Sequence, residues 1–385
     1  MPNFILLLGA VLFWAACAQA GQSAPGAEAA FASGHFDRAK SLFTAESISH
    51  PKDARAWARL GSIDLLDDKV ADADAAFRRS LSIDPKDHAA KRGLQDAMER
   101  ISNSSAPIAA PVVVNLLAVD PLPVVKVVLN GTREAYFLLD TGAPTIVLDA
   151  TLAEQLGAVN RRAGSGVFAG GRRAQVGSAD LKSVSIGGAR LENVRAAVLP
   201  MAGAPHPDGM KIEGLVGTGF FYAYLTTIDY SHHQLVLAPK SESARFEKTA
   251  RDRGAAIARL WYAPSHFLFV RARVNRKLDG LFNVDTGGAG VGVQLSAARI
   301  ADAGVVLERD KAQTVTGGGG EATIVPFKTT VELAGHEWTD VPGVVTQGGD
   351  QYGIFPFRVD GSLSHELFKT HAITFDFVAM KFVVE

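Results

Sequence analysis

The sequence predicts a multidomain chain, with an N-terminal all-α segment of helical hairpins followed by two homologous all-β lobes. Three observations predict it. Residues 22–101 are Ala-rich, with apolar residues at spacings of three and four, the helical period. From Val112 onward the texture changes to short β-branched runs separated by Gly, Asn and Pro turns. The β region then repeats itself, block by block and in the same order, at an offset near 145 residues.

A chain of 385 residues has room for two or three domains. Hydrophobic and charged contents of 47% and 21% are those of a globular protein. A net charge of −1 gives no electrostatic reason to expect nucleic acid or an anionic membrane as partner. The basic residues are scattered rather than clustered with aromatics, so no nucleic-acid binding is expected.

Residues 1–20 read as a signal peptide: an apolar stretch from Phe4 to Ala16, too short to span a bilayer, then the small-x-small site Ala18-Gln19-Ala20. No Lys or Arg precedes it. Cleavage after Ala20 removes Cys17, the only cysteine, and leaves a mature chain without thiol or disulfide. Ala15-Ala16-Cys17 also resembles the end of a bacterial lipoprotein box, with Trp14 where an aliphatic residue is usual; lipidation of Cys17 is the one route to the membrane. Either reading sends the chain to the cell envelope, with the periplasm as the expected location.

Within residues 22–101, Ala39, Phe43 and Pro51 recur as Ala73, Phe77 and Pro85, each 34 positions later. The second unit opens with Trp57, Leu60 and Gly61. This pattern resembles the tetratricopeptide repeat, in which small and large residues interlock two antiparallel helices. Two units fall short of the roughly three that stand alone, so a helix over Ala89–Ile101 is expected to cap them. The resemblance implies either a groove for a peptide or protein partner or a spacer. Residues 102–111, rich in Ser, Ala and Pro, read as a linker.

In the β region, Asn130-Gly131 between apolar runs signals a hairpin. The run from Val124 to Ala143 aligns with Phe269 to Gly288 at an offset of 145. Val184–Val194 aligns with Val331–Val341, and Glu213–Tyr230 with Asp360–Phe377, both at 147. Two residues are therefore inserted between the first block and the second. The lobes are read as 112–240 and 258–385, joined by a polar linker over 241–257.

The alignment places Asp140 and Asp285 at equivalent points, each behind an apolar strand and each followed by Thr-Gly. Two carboxylates about 3 Å apart cannot both ionise, so they share a proton. The ionised member can take a proton from water while the protonated one polarises a carbonyl. Gly142 and Gly287 let backbone N–H groups approach the carboxylates, and the hydroxyls of Thr141 and Thr286 can bond across to the opposite loop.

These paired loops, with the later element Leu215-Val216-Gly217, resemble the aspartic protease superfamily and its retropepsin-like bacterial branch, here as two fused copies. The resemblance covers both lobes. It implies a pepsin/retropepsin-like pair of closed barrels, an aspartic-type endopeptidase acting on a peptide or protein substrate, and a site completed within one monomeric chain. Gly217 would pack beneath the first catalytic loop. It also implies a β-hairpin flap, for which Phe168, Gly170 and Gly171 in one lobe and Gly317 and Gly318 in the other are the candidates.

Two departures stand in the second lobe: Ser364 where Gly217 is expected, and Gly288 in place of Ala143. They lead to the expectation that Asp285 is held less firmly, and they are the ground for an alternative reading as a non-catalytic peptide-binding adaptor. No cofactor or metal is expected. Gly317–Gly320 lacks the Lys-Ser/Thr of a phosphate loop, and His365 and His371 have no carboxylate or Cys at a convincing ligand spacing. Without a Gly-x-Ser-x-Gly element, nucleophilic hydrolase chemistry has no anchor.

Overall fold

The computed structural model describes residues 25–102, 108–168, 172–201, 207–264, 266–317, 320–349 and 351–385. Residues 1–20, read as a signal peptide, and residues 103–107 of the linker lie outside them. The chain begins with helices α1 (Pro25–Ala32), α2 (Phe36–Ser49), α3 (Ala54–Leu66), α4 (Val70–Ile83) and α5 (His88–Ser102). Asp53 starts α3 by accepting from the backbone N–H groups of Arg55 and Ala56. Asp87 does the same for Ala89 and Ala90 at α5. Phe77 of α4 is a fully buried knob between α3 and α5. A Cβ on Gly61 would lie 2.7 Å from its ring, and one on Gly93 2.2 Å, so only glycine admits it. The cap expected over Ala89–Ile101 is α5.

Two sheets follow. The first holds β2 (Val124–Leu129), β3 (Arg133–Leu139), β4 (Ile146–Asp149), β5 (Val159–Phe168), β6 (Arg172–Ile186), β7 (Ala189–Leu199) and β8 (Ile212–Val216), after a short β1 (Val112–Asn115). Next come β9 (Leu225–Asp229), β10 (Gln234–Ala238) and β11 (Ala256–Arg259). The second sheet holds β12 (Trp261–Tyr262), β13 (Leu268–Val274), β14 (Leu278–Asp285), β15 (Val293–Leu295), β16 (Gln313–Gly317), β17 (Gly320–Leu333), β18 (His336–Thr346) and β19 (Gly361–Ser364). The chain ends with β20 (Ala372–Asp376) and β21 (Lys381–Val384). Short helices α6 (Ala150–Gln155), α7 (Thr218–Phe221), α8 (Ser243–Asp252), α9 (Ile300–Ala303) and α10 (His365–Phe368) connect them. The segment 241–257, expected as a linker, carries α8.

Strand order is β2-β3-β8-β4-β7-β6-β5 in the first sheet and β13-β14-β19-β15-β18-β17-β16 in the second, with β12 added at its edge. Each curls back on itself through one further pairing, β2 with β6 and β13 with β17, so the sheets are barrel-like. A six-stranded sheet, β1-β10-β9-β20-β21-β11, joins them. At its centre Thr227 faces Thr374, the residue 147 positions on, with their hydroxyls 2.7 Å apart. The hairpin expected at Asn130-Gly131 forms, both residues having positive φ, 52° and 82°.

The helices pack on the second sheet's outer face. Phe36 meets Trp261 and Phe357 edge-on at 5.4 and 4.9 Å, and Phe357 meets Phe269 at 5.6 Å. An acidic turn after α3 ties down the other end. Asp67 pairs with Lys40 and Arg259 at 3.0 and 2.5 Å, while Asp68 accepts from Arg100 and from the Tyr222 hydroxyl. Arg100 also donates to the carbonyls of Leu65, Tyr262 and Ala263. Tyr222 belongs to the first β unit and Arg259 to the second, so this turn joins the helices to both.

Candidate active site

The two Asp-Thr-Gly loops follow equivalent strands, β3 and β14, whose inward residues Phe137, Leu139, Phe282 and Val284 are fully buried. Burial on both sides fixes where each loop leaves its sheet. The loops then lock together. Thr141 N donates to Thr286 Oγ1 and Thr286 N to Thr141 Oγ1, both at 3.0 Å. Each hydroxyl donates onward, Thr141 to the Val284 carbonyl at 2.8 Å and Thr286 to the Leu139 carbonyl at 3.1 Å. Both side chains are fully buried, so the four bonds face no competition from water.

This grip brings the carboxyl groups of Asp140 and Asp285 into hydrogen-bond contact. Each also accepts from the glycine two positions on, Gly142 N at 2.8 Å and Gly287 N at 3.0 Å. Each glycine packs against the opposite carboxyl: a Cβ on Gly142 would lie 2.6 Å from Asp285 Oδ1, and one on Gly287 2.4 Å from Asp140 Cγ. Burial holds Asp140 well above the usual carboxylate range, and the neighbouring Asp285 charge adds to it. Burial also raises Asp285, against the Gly287 N–H and the bond from Asp140. The pair retains one proton where free carboxylates would have lost both.

Gly217 lies beneath the first loop as expected. A Cβ there would sit 1.5 Å from the Pro144 carbonyl oxygen, a position open only to glycine. The structure corrects the expectation that Gly288 and Ser364 weaken the second loop. The Ser364 hydroxyl occupies the space that a Gly288 side chain would need, 2.2 Å from its ideal Cβ. It accepts from Gly288 N at 3.1 Å and donates to the carbonyl of Asp285 itself. The small residue and the larger one have changed places between the units, and the hydroxyl fastens the loop. The two extra residues lie just beyond. Gly217 N bonds to the Thr145 carbonyl and Ser364 N to that of Gly292, so Ala289-Gly290-Val291 stands where the first unit has Pro144 alone.

The hairpins expected as flaps form as β5–β6 and β16–β17, with Phe168 pairing Arg172 and Gly317 pairing Gly320 at their ends. Gly170, Gly171 and Gly318 lie outside the described residues. Two residues near the site went unsingled in the sequence. His266 hydrogen-bonds to the backbone of Gly142, its ring stacks on Phe267 at 4.2 Å, and burial pushes its imidazole down to about 4. Tyr352 is buried, its hydroxyl in the field of Asp285 and beside Ser362, Gln351 and Asn283. The offset of 145 sets His266 opposite Pro121, the one sequence signal of a change at the dyad's edge. A broad surface hollow lined by Asp229, His232, Arg253, His336, His371 and Glu385 holds no residue of either loop.

Residues 125–220 match the family model described as aspartyl protease. The match takes in Asp140 and Gly217 and stops before the second Asp-Thr-Gly. Among solved structures, a retropepsin-like aspartic protease from Rickettsia conorii is similar at 19% identity, over 35% of this chain and 93% of that one, with a TM-score of 0.25. No curated protein matches the chain.

Proposed function

We propose that this chain is an aspartic-type endopeptidase of two retropepsin-like lobes, which hydrolyses peptide bonds with a water activated between Asp140 and Asp285. The observation that carries the reading is the half-buried carboxyl pair, contributed by two equivalent loops and cross-gripped by Thr141 and Thr286. In the reaction the ionised carboxylate takes a proton from water as its oxygen bonds to the scissile carbonyl carbon. The protonated carboxyl gives its proton to the carbonyl oxygen, forming a neutral tetrahedral diol. Return of a proton to the nitrogen breaks the C–N bond and releases a carboxylic acid and an amine, with no covalent enzyme intermediate. The grip, the two glycine N–H donors and the Ser364 hydroxyl hold both carboxyls in place through these transfers. Both come from one chain, so a monomer suffices.

The hairpins β5–β6 and β16–β17 would serve as the flaps that cover a bound peptide. The helices, read as tetratricopeptide repeats, brace the second lobe, and the exposed end of the array at Met98 is where a protein partner would dock. The leader would place the enzyme in the periplasm. The bonds of the Ser364 hydroxyl to Gly288 N and to the Asp285 carbonyl support the catalytic reading over that of a non-catalytic peptide-binding adaptor. The test is cleavage of a peptide library between pH 3 and 8 by the mature chain, beside Asp140→Asn and Asp285→Asn. Cleavage abolished by each substitution is expected; cleavage surviving either one refutes the dyad mechanism.

A further inference from the structure

We propose that Asp120, His365 and Glu366 form a binding site for a divalent transition-metal ion, with zinc as its probe. Spacing along the sequence gives His365 no such role, because Asp120 comes from the far side of the chain. In the fold His365 is fully buried, and neither ring nitrogen has a hydrogen-bond partner among the described residues. A buried imidazole without partners is an unusual expense for a fold to carry. Its Nε2 faces Asp120 Oδ1 at 4.0 Å, too long for a hydrogen bond and a few tenths of an ångström wider than two donors on one ion at about 2.0–2.2 Å each, a gap that the exposed Asp120 side chain can close. Glu366 supplies the third donor, and the three ligand atoms lie within 4.8 Å of one another.

The chemistry of this set is selective. Two carboxylates and an imidazole neutralise a divalent ion, and a nitrogen donor favours zinc over magnesium or calcium. Asp120, at 72% side-chain exposure, gives the ion a route in and leaves room for a water ligand. Lys369 lies 2.6 Å from Glu366 Oε2, so the ion either displaces that ammonium or takes the other oxygen. The Tyr230 ring, 5.3 Å from the imidazole, forms the wall behind.

The position ties the site to both Asp loops. His365 and Glu366 directly follow Ser364, and Glu366 N donates to the Val291 carbonyl at 3.0 Å. Asp120 leads into Pro123, whose carbonyl accepts from Leu139 N at 3.0 Å, one residue before Asp140. A bound ion would clasp the segment entering one unit to the segment bracing the other.

The test is calorimetric titration of zinc into the chelator-stripped full chain without peptide, beside Asp120→Asn and Glu366→Gln. Both changes fall on polar side chains that are not in the Asp-Thr-Gly loops, and circular dichroism verifies that the apo variants fold. One equivalent of zinc is expected, with affinity falling at least about tenfold in each variant and magnesium giving no comparable heat. A wild-type chain that takes up no zinc overturns the proposal. So does binding undiminished in both variants, which would put the ion elsewhere. Neither outcome depends on peptidase activity.

Discussion

If Gly288 and Ser364 are a compensated exchange of Ala143 and Gly217, reversing one alone should harm the protein more than reversing both. In Gly288→Ala the new methyl meets Ser364 Oγ at 2.2 Å in a site where Ser364 is 2% exposed, so neither side can yield freely. Overpacking of this kind costs about 1–3 kcal/mol. In Ser364→Gly the Gly288 N–H loses its acceptor and the Asp285 carbonyl a donor. A stranded buried group costs about 1–3 kcal/mol, and the added backbone freedom about 0.5–1 kcal/mol. The double variant removes the clash, because the methyl enters the space the hydroxyl leaves. Its cost should therefore fall near that of Ser364→Gly alone, at least about 1 kcal/mol below the sum of the single changes. The longer segment Ala289–Val291 prevents full recovery. Urea unfolding of the four proteins at pH 7, followed by the fluorescence of Trp261 and Trp338 in the second unit, measures the coupling. Additivity within about 0.5 kcal/mol would refute the exchange and restore Gly288 and Ser364 to the status of independent defects.

Three further outcomes are expected. Asp140→Asn should reduce peptide cleavage by about 100-fold or more while stabilising the protein at pH 8. The folded pKa of Asp140 is raised above its unfolded value of 3.8, so wild-type stability is fully present below 3.8 and is lost as pH rises through the folded value. Urea midpoints at pH 5 and 8 should diverge in the wild type and converge in the variant. His266 gives the opposite slope: its pKa falls from 6.5 unfolded to about 4 folded. Stability should therefore drop by about 3 kcal/mol as pH falls from 6.5 through 4, and His266→Gln should flatten that limb of the urea-midpoint profile. Arg100→Met should loosen the helices, since the guanidinium is 7% exposed and serves Asp68 and three carbonyls. A loss of about 3–5 kcal/mol is expected, read as faster hydrogen exchange in α3, α5 and β12; unchanged exchange there would contradict the docking role.

The repeat offsets of 145 and 147 carried much of the β architecture, because a duplicated strand order leaves its mark in the order of apolar runs and turns. They also paired Asp140 with Asp285, and Thr141 with Thr286, before any contact was known. What they did not carry was the meaning of a departure. Ser364 read alone is a lost glycine; only its contact with Gly288, 76 positions earlier, shows the two changes to be one. The docking face of the helices was hidden for a similar reason. Phe267, Phe269 and Phe357 stand where the first unit has Leu122, Val124 and Met210, a contrast visible in the alignment but without meaning until Phe31 and Phe36 are seen against it. Asp120 and His365 meet through the fold alone, which no local spacing can reveal.

The same contrast reaches the carboxyl pair. Beside Asp140 the first unit presents Leu138 and Leu215, in an apolar cluster with Leu122, Val124 and Ile212. At the equivalent points beside Asp285 the second unit presents Asn283 and Ser362, both buried and both beside the Tyr352 hydroxyl. An apolar wall disfavours charge, whereas a wall of oriented polar groups tolerates it. Two loops of identical sequence through Asp-Thr-Gly therefore sit on unlike supports, and the supports decide which carboxyl keeps the proton. On the proposed mechanism Asp140, on the apolar support, is the acid that protonates the carbonyl oxygen. Asp285, on the polar support of Asn283 and Ser362, is the base that takes the proton from water. A symmetric homodimer would have to break its symmetry anew with each substrate; in this chain the fusion of two diverged units has already done so.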